Sequence, residues 1–392
     1  MNAARRFTVP VLVSLCALAG ALALVTTPAL AASAHLFSKT FGGPCTVTPC
    51  GPGQFNEPAG VAVNDTTGDV YVVDKGDKRV EEFSSEGVFV MEFSGKGTAG
   101  ELSEPEQIAV DNSGSLTDPS AGDLYVTDRG TGAVDKFSST GEYKGQLTGM
   151  CEKEDEVPPT CSGFASFAAL DGVAVDSEGK VWVYQESKQI AAFGDAEPNA
   201  FLSTRGALNE RPAHPGFAVD SDDNLYIAHK WSGGIYVVGK LDSAGAVISE
   251  ALREEESTGV AVDLSNNDVY LDSDGGSVKA IEGLTAGGLP VESFGSAQLS
   301  DGGGRGVAVN SATTGAASQT VYVADSAADD VAIYPDRALP VVIESESTSF
   351  LETTSVRLEA QINPGGNEVP YHFEYGPAAG SYDVSVPVPD TH

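Results

Sequence analysis

Apolar and polar positions alternate along most of this chain in a two-part pattern. The first part is a run of small and β-branched residues ending in Asp or Asn, as in GVAVD at 172–176. Turn residues follow, and the second part mixes β-branched and aromatic residues, as in GDVYVVD at 68–74. β-branched and aromatic residues favour a half-buried pleated surface, and Asn, Asp and Gly favour hairpin turns. The pattern therefore predicts β-hairpins and an all-β fold.

The pattern recurs six times at the spacing of a propeller blade. Its first parts lie at 60–64, 107–111, 172–176, 216–220, 259–263 and 306–310. Four of the five steps between their last residues are 43 to 47 residues long, and the fifth is 65. A four-stranded blade takes about 40–45 residues. A third apolar segment, such as RVEEF at 79–83, and a more polar fourth segment, such as VFVMEFSG at 88–95, predict the remaining two strands of a blade.

The sixth unit lacks a fourth strand after DVAIYPD at 330–336. HLFSKTFGG at 35–43 resembles the fourth segments of other units, such as LPVESFG at 289–295. We therefore expect the N-terminal segment to complete the last blade and to close a six-bladed β-propeller over residues 35–340. Closure leaves only short, protected sheet edges.

The repeats resemble the NHL family in the order of their parts: an apolar strand, a turn, a YVVD-type strand and a polar loop into RVxxF. The best copies are VYVVDKGDKRVEEFSSEG, which ends at Gly87, and LYVTDRGTGAVDKFSSTG at 124–141. The resemblance covers residues 36–336. WD40 repeats fit less well, since the chain contains no Trp-Asp dipeptide. The resemblance implies a six-bladed propeller, and some six-bladed relatives of NHL proteins are lyases or lactonases with a metal centre.

Several positions recur from unit to unit. Asp74, Asp128 and Asp325 end second strands, where a carboxylate either binds calcium or accepts hydrogen bonds from the adjacent loop; we predict the loop role. DSDDN at 220–224 opens like an EF-hand loop but lacks its Gly and Glu, so we predict a hairpin turn. Six aromatic residues are predicted to lie in the core between blades: Tyr71, Tyr125, Trp182, Tyr226, Tyr270 and Tyr322.

The first 34 residues differ from the repeats. Arg5 and Arg6 precede an apolar run from Val9 to Val25, and small residues follow at 29–31 and 32–34. This predicts a secretory signal peptide in residues 1–34 with two candidate cleavage points, and a secreted or cell-surface protein. An uncleaved membrane anchor is the alternative, although the run is short for a membrane span. The twin arginine leaves the Sec and Tat export routes both open.

The charge of the chain limits its partners. The net charge is −34, and removal of Arg5 and Arg6 with the first 34 residues, which contain no acid, changes it to −36. Such a chain repels phosphate backbones and anionic membrane surfaces. We therefore expect an extracellular protein or a glycan as partner, no nucleic acid, and no membrane insertion after signal cleavage. The sequence leaves the oligomeric state open.

Four cysteines follow the leader, an even number typical of disulfides in an exported chain. We predict the pairs Cys45–Cys50 and Cys151–Cys161, because each brackets a proline-containing loop that leads into an inner strand. A metal site is the competing interpretation, although neither spacing is that of a zinc ribbon.

The composition changes again after Pro340. Residues 341–392 alternate like strands of a fibronectin-III or immunoglobulin sandwich, which needs about 100 residues. We therefore expect an incomplete sandwich segment in a native chain that continues past His392.

The sequence contains no familiar catalytic motif, such as G-x-S-x-G or H-E-x-x-H. In a propeller, loops that lead into inner strands lie at the same rim as loops that join second and third strands. Five residues should therefore lie at the channel mouth and form the candidate site: Glu106, Asp171, His214, His229 and Arg305. His214 and His229 would be metal ligands if the protein were an enzyme.

We predict an exported, non-catalytic binding scaffold without cofactor, whose loop-rich rim holds a protein or glycan. Two alternatives stay open. One is a metal-dependent lyase or lactonase that uses a divalent metal at the channel mouth. The other is a structural component of the cell envelope.

Overall fold

A computed structural model shows a protein built from β-strands. It describes residues 5–9, 22–26, 33–114, 118–148, 167, 170–185, 189–194, 199–206, 216–230, 236–253, 257, 259–273, 277–281, 292–300, 304–315, 317–338, 342–349, 357–363, 371–375 and 384–387. The described residues contain no helix long and apolar enough to span a membrane. Two compact units can be separated, residues 35–336 and residues 1–34 together with 337–392.

Within 35–336, the described residues form four-stranded antiparallel sheets that we number one to six in chain order. Sheets one and two comprise Pro58–Val63, Val70–Asp74, Arg79–Phe83, Phe89–Phe93 and Pro105–Val110, Leu124–Asp128, Ala133–Phe137, Tyr143–Thr148. Sheets three and four comprise Leu170–Val175, Val181–Gln185, Gln189–Phe193, Phe201–Gly206 and Phe217–Val219, Leu225–Lys230, Tyr236–Leu241, Val247–Arg253. Sheets five and six comprise Val260–Val262, Val269–Ser273, Ser277–Ile281, Glu292–Phe294 and Gly304–Val309, Val321–Asp325, Asp330–Tyr334, Lys39–Gly42.

The sheets have a β-propeller arrangement in which five blades are recognised. The first strand of each sheet, which we call its inner strand, contacts the inner strand of the next sheet. The fourth, outer strand of sheet one alternates between half-buried and exposed residues. The predicted all-β fold and the order of strands within each repeat are therefore confirmed. The expectation of six blades stays a prediction.

Apolar cores fill the spaces between successive sheets, which explains why the second strands are apolar on both faces. Val61 and Val72 of sheet one share a buried cluster with Tyr322 and Ile333 of sheet six and with Phe41 of the N-terminal segment. The six repeated aromatic residues are buried, as predicted: Tyr71, Tyr125, Trp182, Tyr226, Tyr270 and Tyr322.

Glycines let neighbouring inner strands approach each other closely. A Cβ atom on Gly216 would lie 2.5 Å from the backbone N of Val260 in the next inner strand. Gly306 faces the backbone of Ala59 and Val61 in sheet one in the same way. The glycine that opens GVAVD is therefore a packing requirement, because only a residue without a side chain fits there.

The predicted Cys45–Cys50 disulfide is present, whereas Cys151 and Cys161 lie outside the described residues. In the other unit, Arg5–Val9 and Val342–Ser349 both pair with Arg357–Asn363, and Leu22–Thr26 and Val384–Pro387 both pair with Tyr371–Tyr375. The short strands Ser33–His35 and Asp336–Ala338 complete the described elements. The signal peptide and the fibronectin-like segment stay predictions.

Candidate functional site

The candidate site lies at the end of the ring where the inner strands begin. Pro58 at the start of an inner strand pairs with Asp74 at the end of the second strand. Loops entering inner strands therefore lie at the same end as loops joining second and third strands. We call this end the entry rim. Glu106 and Asp171 are both located here, because each lies at the beginning of an inner strand.

Glu106 is held by the preceding sheet. Its Oε2 lies 2.5 Å from Nζ of Lys75, which directly follows the second strand of sheet one. The Glu106 side chain is only 8% exposed, and that of Lys75 is 33% exposed. Lys75 therefore neutralises a carboxylate that would otherwise be buried at high cost.

Asp171 repeats this arrangement one sheet further on. Its buried carboxylate lies 3.5 Å from a guanidinium nitrogen of Arg129, which directly follows the second strand of sheet two. Lys75 and Arg129 occupy equivalent positions in their repeats, as do Glu106 and Asp171. These residues therefore form a repeated ion pair that joins successive sheets at the entry rim.

The other candidate residues are less fully described. Arg305 lies in the inner strand of sheet six and His229 in the second strand of sheet four, with only their backbone described. His214 lies outside the described residues. Whether the five residues form one cluster therefore stays a prediction.

The recurring aspartates at the entry rim order loop backbone, as the sequence predicts. Asp128 accepts hydrogen bonds from the backbone N–H groups of Ser103 (2.7 Å) and Glu104 (2.8 Å). Asp325 accepts one from the N–H of Ser300 (2.7 Å), and Asp74 accepts one from the N–H of Asn56 (2.9 Å). Each carboxylate thus holds the loop that enters the inner strand of its own sheet.

A buried arginine, which the sequence interpretation missed, anchors the disulfide loop. Arg79 is 7% exposed, and its Nε donates to Oδ2 of Asp74 at 2.9 Å. Its other nitrogens donate to Oε2 of Glu92 (2.5 Å) and to the backbone carbonyls of Gln54 (2.9 Å) and Cys50 (3.3 Å). The sequence marks this residue, since the RVxxF motif begins with it. Its carbonyl partners could not be predicted, because they lie in a loop that has no repeat pattern.

Acidic residues complete this anchor. Oδ2 of Asp77 accepts the N–H of Cys50 at 2.5 Å, and Oε1 of Glu81 accepts the N–H of Gly53 at 2.9 Å. Burial raises the pKa of Glu81 to about 7, against the opposing effects of the Gly53 hydrogen bond and the Arg79 charge. The disulfide loop is thus held at several points by charged groups of sheet one.

Within the described part of the chain, one group of three side chains has metal-ligand spacing, namely Cys45, Cys50 and Asp77. The two cysteine sulfurs are joined to each other in the disulfide. A metal ligand is a free thiolate, so this group does not fit a metal ion while the disulfide is intact.

We predict that Lys75→Met lowers the free energy of unfolding by about 1–3 kcal/mol, because it leaves the buried Glu106 carboxylate without its cation. Lys78→Met is the matched control, since Lys78 is an exposed lysine of the same loop and should change stability by less than about 0.5 kcal/mol. The measurement is urea denaturation of both variants. Equal midpoints for the two would show that the pair does not hold the sheets together.

Residues 55–83 match the NHL repeat. This NHL repeat covers the first three strands of sheet one, together with Asp74, Arg79 and the loop between them. No curated protein matches the chain in sequence.

Among solved structures, the chain is similar to U3-55K, with a TM-score of 0.51 and 11% identity over 73% of this chain and 100% of that one. It is also similar to virginiamycin B lyase from Staphylococcus aureus (TM-score 0.45, 12% identity, 78% and 95% covered). A gluconolactonase from Xanthomonas campestris has a TM-score of 0.49 and 13% identity, with 80% and 100% covered. At this identity the similarity to U3-55K concerns the fold alone.

Proposed function

We propose that this protein is an exported, non-catalytic binding scaffold, in which a closed six-bladed NHL-type propeller presents the loops of its entry rim to a protein or a glycan. The observation that carries the proposal is that two carboxylates of the entry rim are already paired with basic side chains. Glu106 and Asp171 are engaged by Lys75 and Arg129 of the preceding sheets. A metal-dependent lyase or lactonase needs side chains at the channel mouth that are free to bind an ion.

Contacts between sheets six and one support closure into six blades. Thr40 and Phe41 pair with the third strand of sheet six, as the N-terminal sequence predicts. The backbone N–H of Ser311 donates to Oδ1 of Asp65 at 2.9 Å. The Tyr322 hydroxyl donates to the carbonyl of Ser85 at 3.1 Å. The last sheet is thus joined to the first at its inner strand and along its second strand.

The disulfide loop is the part of the entry rim best suited to bind a partner. Val47, between the two cysteines, is 72% exposed. The disulfide restrains the loop before any ligand arrives, and so do the hydrogen bonds that the loop accepts from Arg79 and donates to Asp77 and Glu81. A restrained loop loses little conformational entropy on binding, which favours affinity.

The charge of the chain and its predicted leader narrow the class of ligand. A net charge of −34 disfavours nucleic acid and anionic lipid, and it attracts cationic proteins. The predicted signal peptide, together with a disulfide in the first loop, supports an extracellular location, where disulfides persist. We therefore assign the rim to an extracellular protein or to an uncharged glycan.

The test uses the secreted full chain, probed against an array of neutral glycans and against cationic peptides immobilised on a biosensor. Val47→Lys should weaken binding at least about tenfold, since it places at the centre of the contact a positive charge that repels a cationic peptide and is unpaired against a neutral glycan. The matched control is Val90→Lys, at a valine of the outer strand of sheet one that is 52% exposed. Equal binding by both variants, or no binding to any probe, would contradict the proposal.

A further inference from the structure

His35, the first residue of the propeller unit, is buried against sheets five and six. Its backbone N–H donates to Oε1 of Glu292 at 2.7 Å, and its Nδ1 lies 2.8 Å from Oε2 of the same carboxylate. Its Nε2 lies 3.0 Å from the carbonyl oxygen of Gln319. One carboxylate on the outer strand of sheet five thus holds both the main chain and the side chain of His35.

The groups that surround His35 are mostly acidic or aromatic. Its ring stacks on Phe294 at 5.1 Å and meets Tyr270 edge-on at 5.2 Å, both from sheet five. Asp336, which follows the third strand of sheet six, also acts on its charge. Burial lowers the pKa of His35, but Glu292 outweighs it, so that the net direction is upward. The titratable groups facing His35 are therefore two carboxylates and one phenol.

Asp336 has spare capacity to accept a hydrogen bond. Its Oδ1 is buried and accepts no hydrogen bond from the described residues. A buried carboxylate oxygen without a donor is costly. The peptide N–H of His35 is a single neutral donor, and Glu292 already receives it. Glu292 thus presents a whole carboxylate to His35, and Asp336 adds negative charge, whereas an internal peptide N–H requires a single acceptor.

We propose that the chain is cleaved between Ala34 and His35, and that the α-ammonium group created at His35 is held by Glu292 as a latch on the closed ring. Hydrolysis of that peptide bond consumes one water, leaving a carboxylate on Ala34 and an ammonium group on His35. The ammonium group adds two further N–H donors, and it adds a positive charge beside a carboxylate that the His35 imidazole neutralises only when it is protonated. The proposal rests on the export and ring closure of the proposed function.

The sequence before His35 fits this cleavage. Ala32-Ser33-Ala34 places small residues at the positions that a signal peptidase reads, and Ala29-Leu30-Ala31 is the competing point. Cleavage at the competing point would leave three residues before His35 and no charge at its nitrogen. On the Sec route the peptidase acts before the chain folds, so the burial of His35 in the folded protein does not hinder it.

The latch would act on the closing strand, whose N-terminal end would otherwise be free to fray. The closing strand Lys39–Gly42 has only four residues, and the chain before it has no other described ion pair to sheet five. Glu292 anchors the chain at the point where it starts. Fastening both ends of residues 35–42 limits fraying of this terminal strand.

The first experiment determines the N-terminus of the secreted protein by intact mass and Edman sequencing. We expect the chain in the medium to begin at His35. A secreted chain that begins at Ala32 or upstream would overturn the latch and leave the binding scaffold intact. A chain that stays inside the cell with its leader would instead overturn export.

The second experiment compares two purified chains that start at His35 and at Ala34, so that the α-ammonium is displaced by one residue at equal net charge. At pH 6 the His35 chain should melt roughly 2–5 °C higher, as expected for a partly buried charged hydrogen bond. Glu292→Gln should remove the difference. Glu86→Gln, which removes an exposed carboxylate near Lys39 of the closing strand, should preserve it. Equal melting temperatures, or a difference that survives Glu292→Gln, would overturn the proposal.

The pH dependence of the difference separates the α-amino group from the imidazole. An ammonium held by carboxylates has a raised pKa, so its stabilisation is complete below the unfolded value of about 8 and is lost as pH rises through the folded value. The imidazole is common to both chains and cancels. The melting difference should therefore vanish by about pH 10, and a difference that persists there would show a purely steric origin.

Discussion

Gly306→Ala is expected to lower the free energy of unfolding by about 3 kcal/mol, the upper part of the usual range for overpacking a tight contact. The added Cβ would come closer than 3.0 Å to the carbonyl oxygen of Ala59 and would also press on Val61. These are backbone atoms of sheet one, which cannot rotate away as a side chain would. The inner strands of sheets six and one would have to separate.

Gly145→Ala provides the control for this experiment. Gly145 lies in the outer strand of sheet two, and a Cβ there would meet no atom within 4 Å. Replacement of glycine at such a position changes stability by less than about 1 kcal/mol and tends to increase it. Chemical denaturation of both variants measures the effect. If Gly306→Ala proved as stable as Gly145→Ala, sheet six would not be packed against sheet one and the ring would be open.

Arg79→Met is expected to lower the free energy of unfolding by about 3–5 kcal/mol, because it removes one partner from a buried charge network. Methionine retains the apolar stem but leaves the Asp74 and Glu81 carboxylates without their cation. It also removes the hydrogen bonds to the carbonyls of Cys50 and Gln54. The disulfide loop should then lose its attachment to sheet one.

The loss should be larger at pH 8 than at pH 5. Burial raises the pKa of Glu81 to about 7 and that of Asp74 to about 6, against the lowering effect of Arg79. Both values exceed the unfolded values near 4, so stability falls as pH rises from about 4 to 7, and it falls further without the arginine. Lys144→Met, which breaks the exposed pair with Glu142, should cost less than about 1 kcal/mol at either pH. An equal loss at both pH values would contradict the charge argument.

The fold could be predicted far into its details because each strand is encoded locally. RVEEF at 79–83 was predicted and is observed as a strand with the same limits. The outer strands are tested less fully: within the segment 289–295 the described strand is Glu292–Phe294, and residues 289–291 lie outside the described residues. The closing strand was predicted at 35–43 and extends over Lys39–Gly42. The residues before it still contact sheet six, since the N–H of Ser38 donates to the carbonyl of Ile333 at 2.9 Å, and His35 is held by Glu292 of sheet five, 257 positions away.

The site could be predicted only in part, because its chemistry depends on pairs formed between sheets. The repeat register placed Glu106 and Asp171 at the entry rim. It did not show that Lys75 and Arg129 of the preceding sheets neutralise them. The sequence contains a signal, since both basic residues directly follow a repeated aspartate. Pairing each with its carboxylate requires knowing how far apart successive sheets lie, which the sequence does not give. The anchoring role of Arg79 was missed for the same reason.

The measurement that tests the account most directly is the metal content of the secreted full chain, determined by elemental analysis beside His214→Ala and His229→Ala. A binding rim whose described carboxylates are already paired should retain no transition metal in stoichiometric amount, and both variants should melt like the parent chain. One equivalent of zinc or another transition metal, lost in both variants, would contradict a non-catalytic rim and would establish a metal centre at the channel mouth.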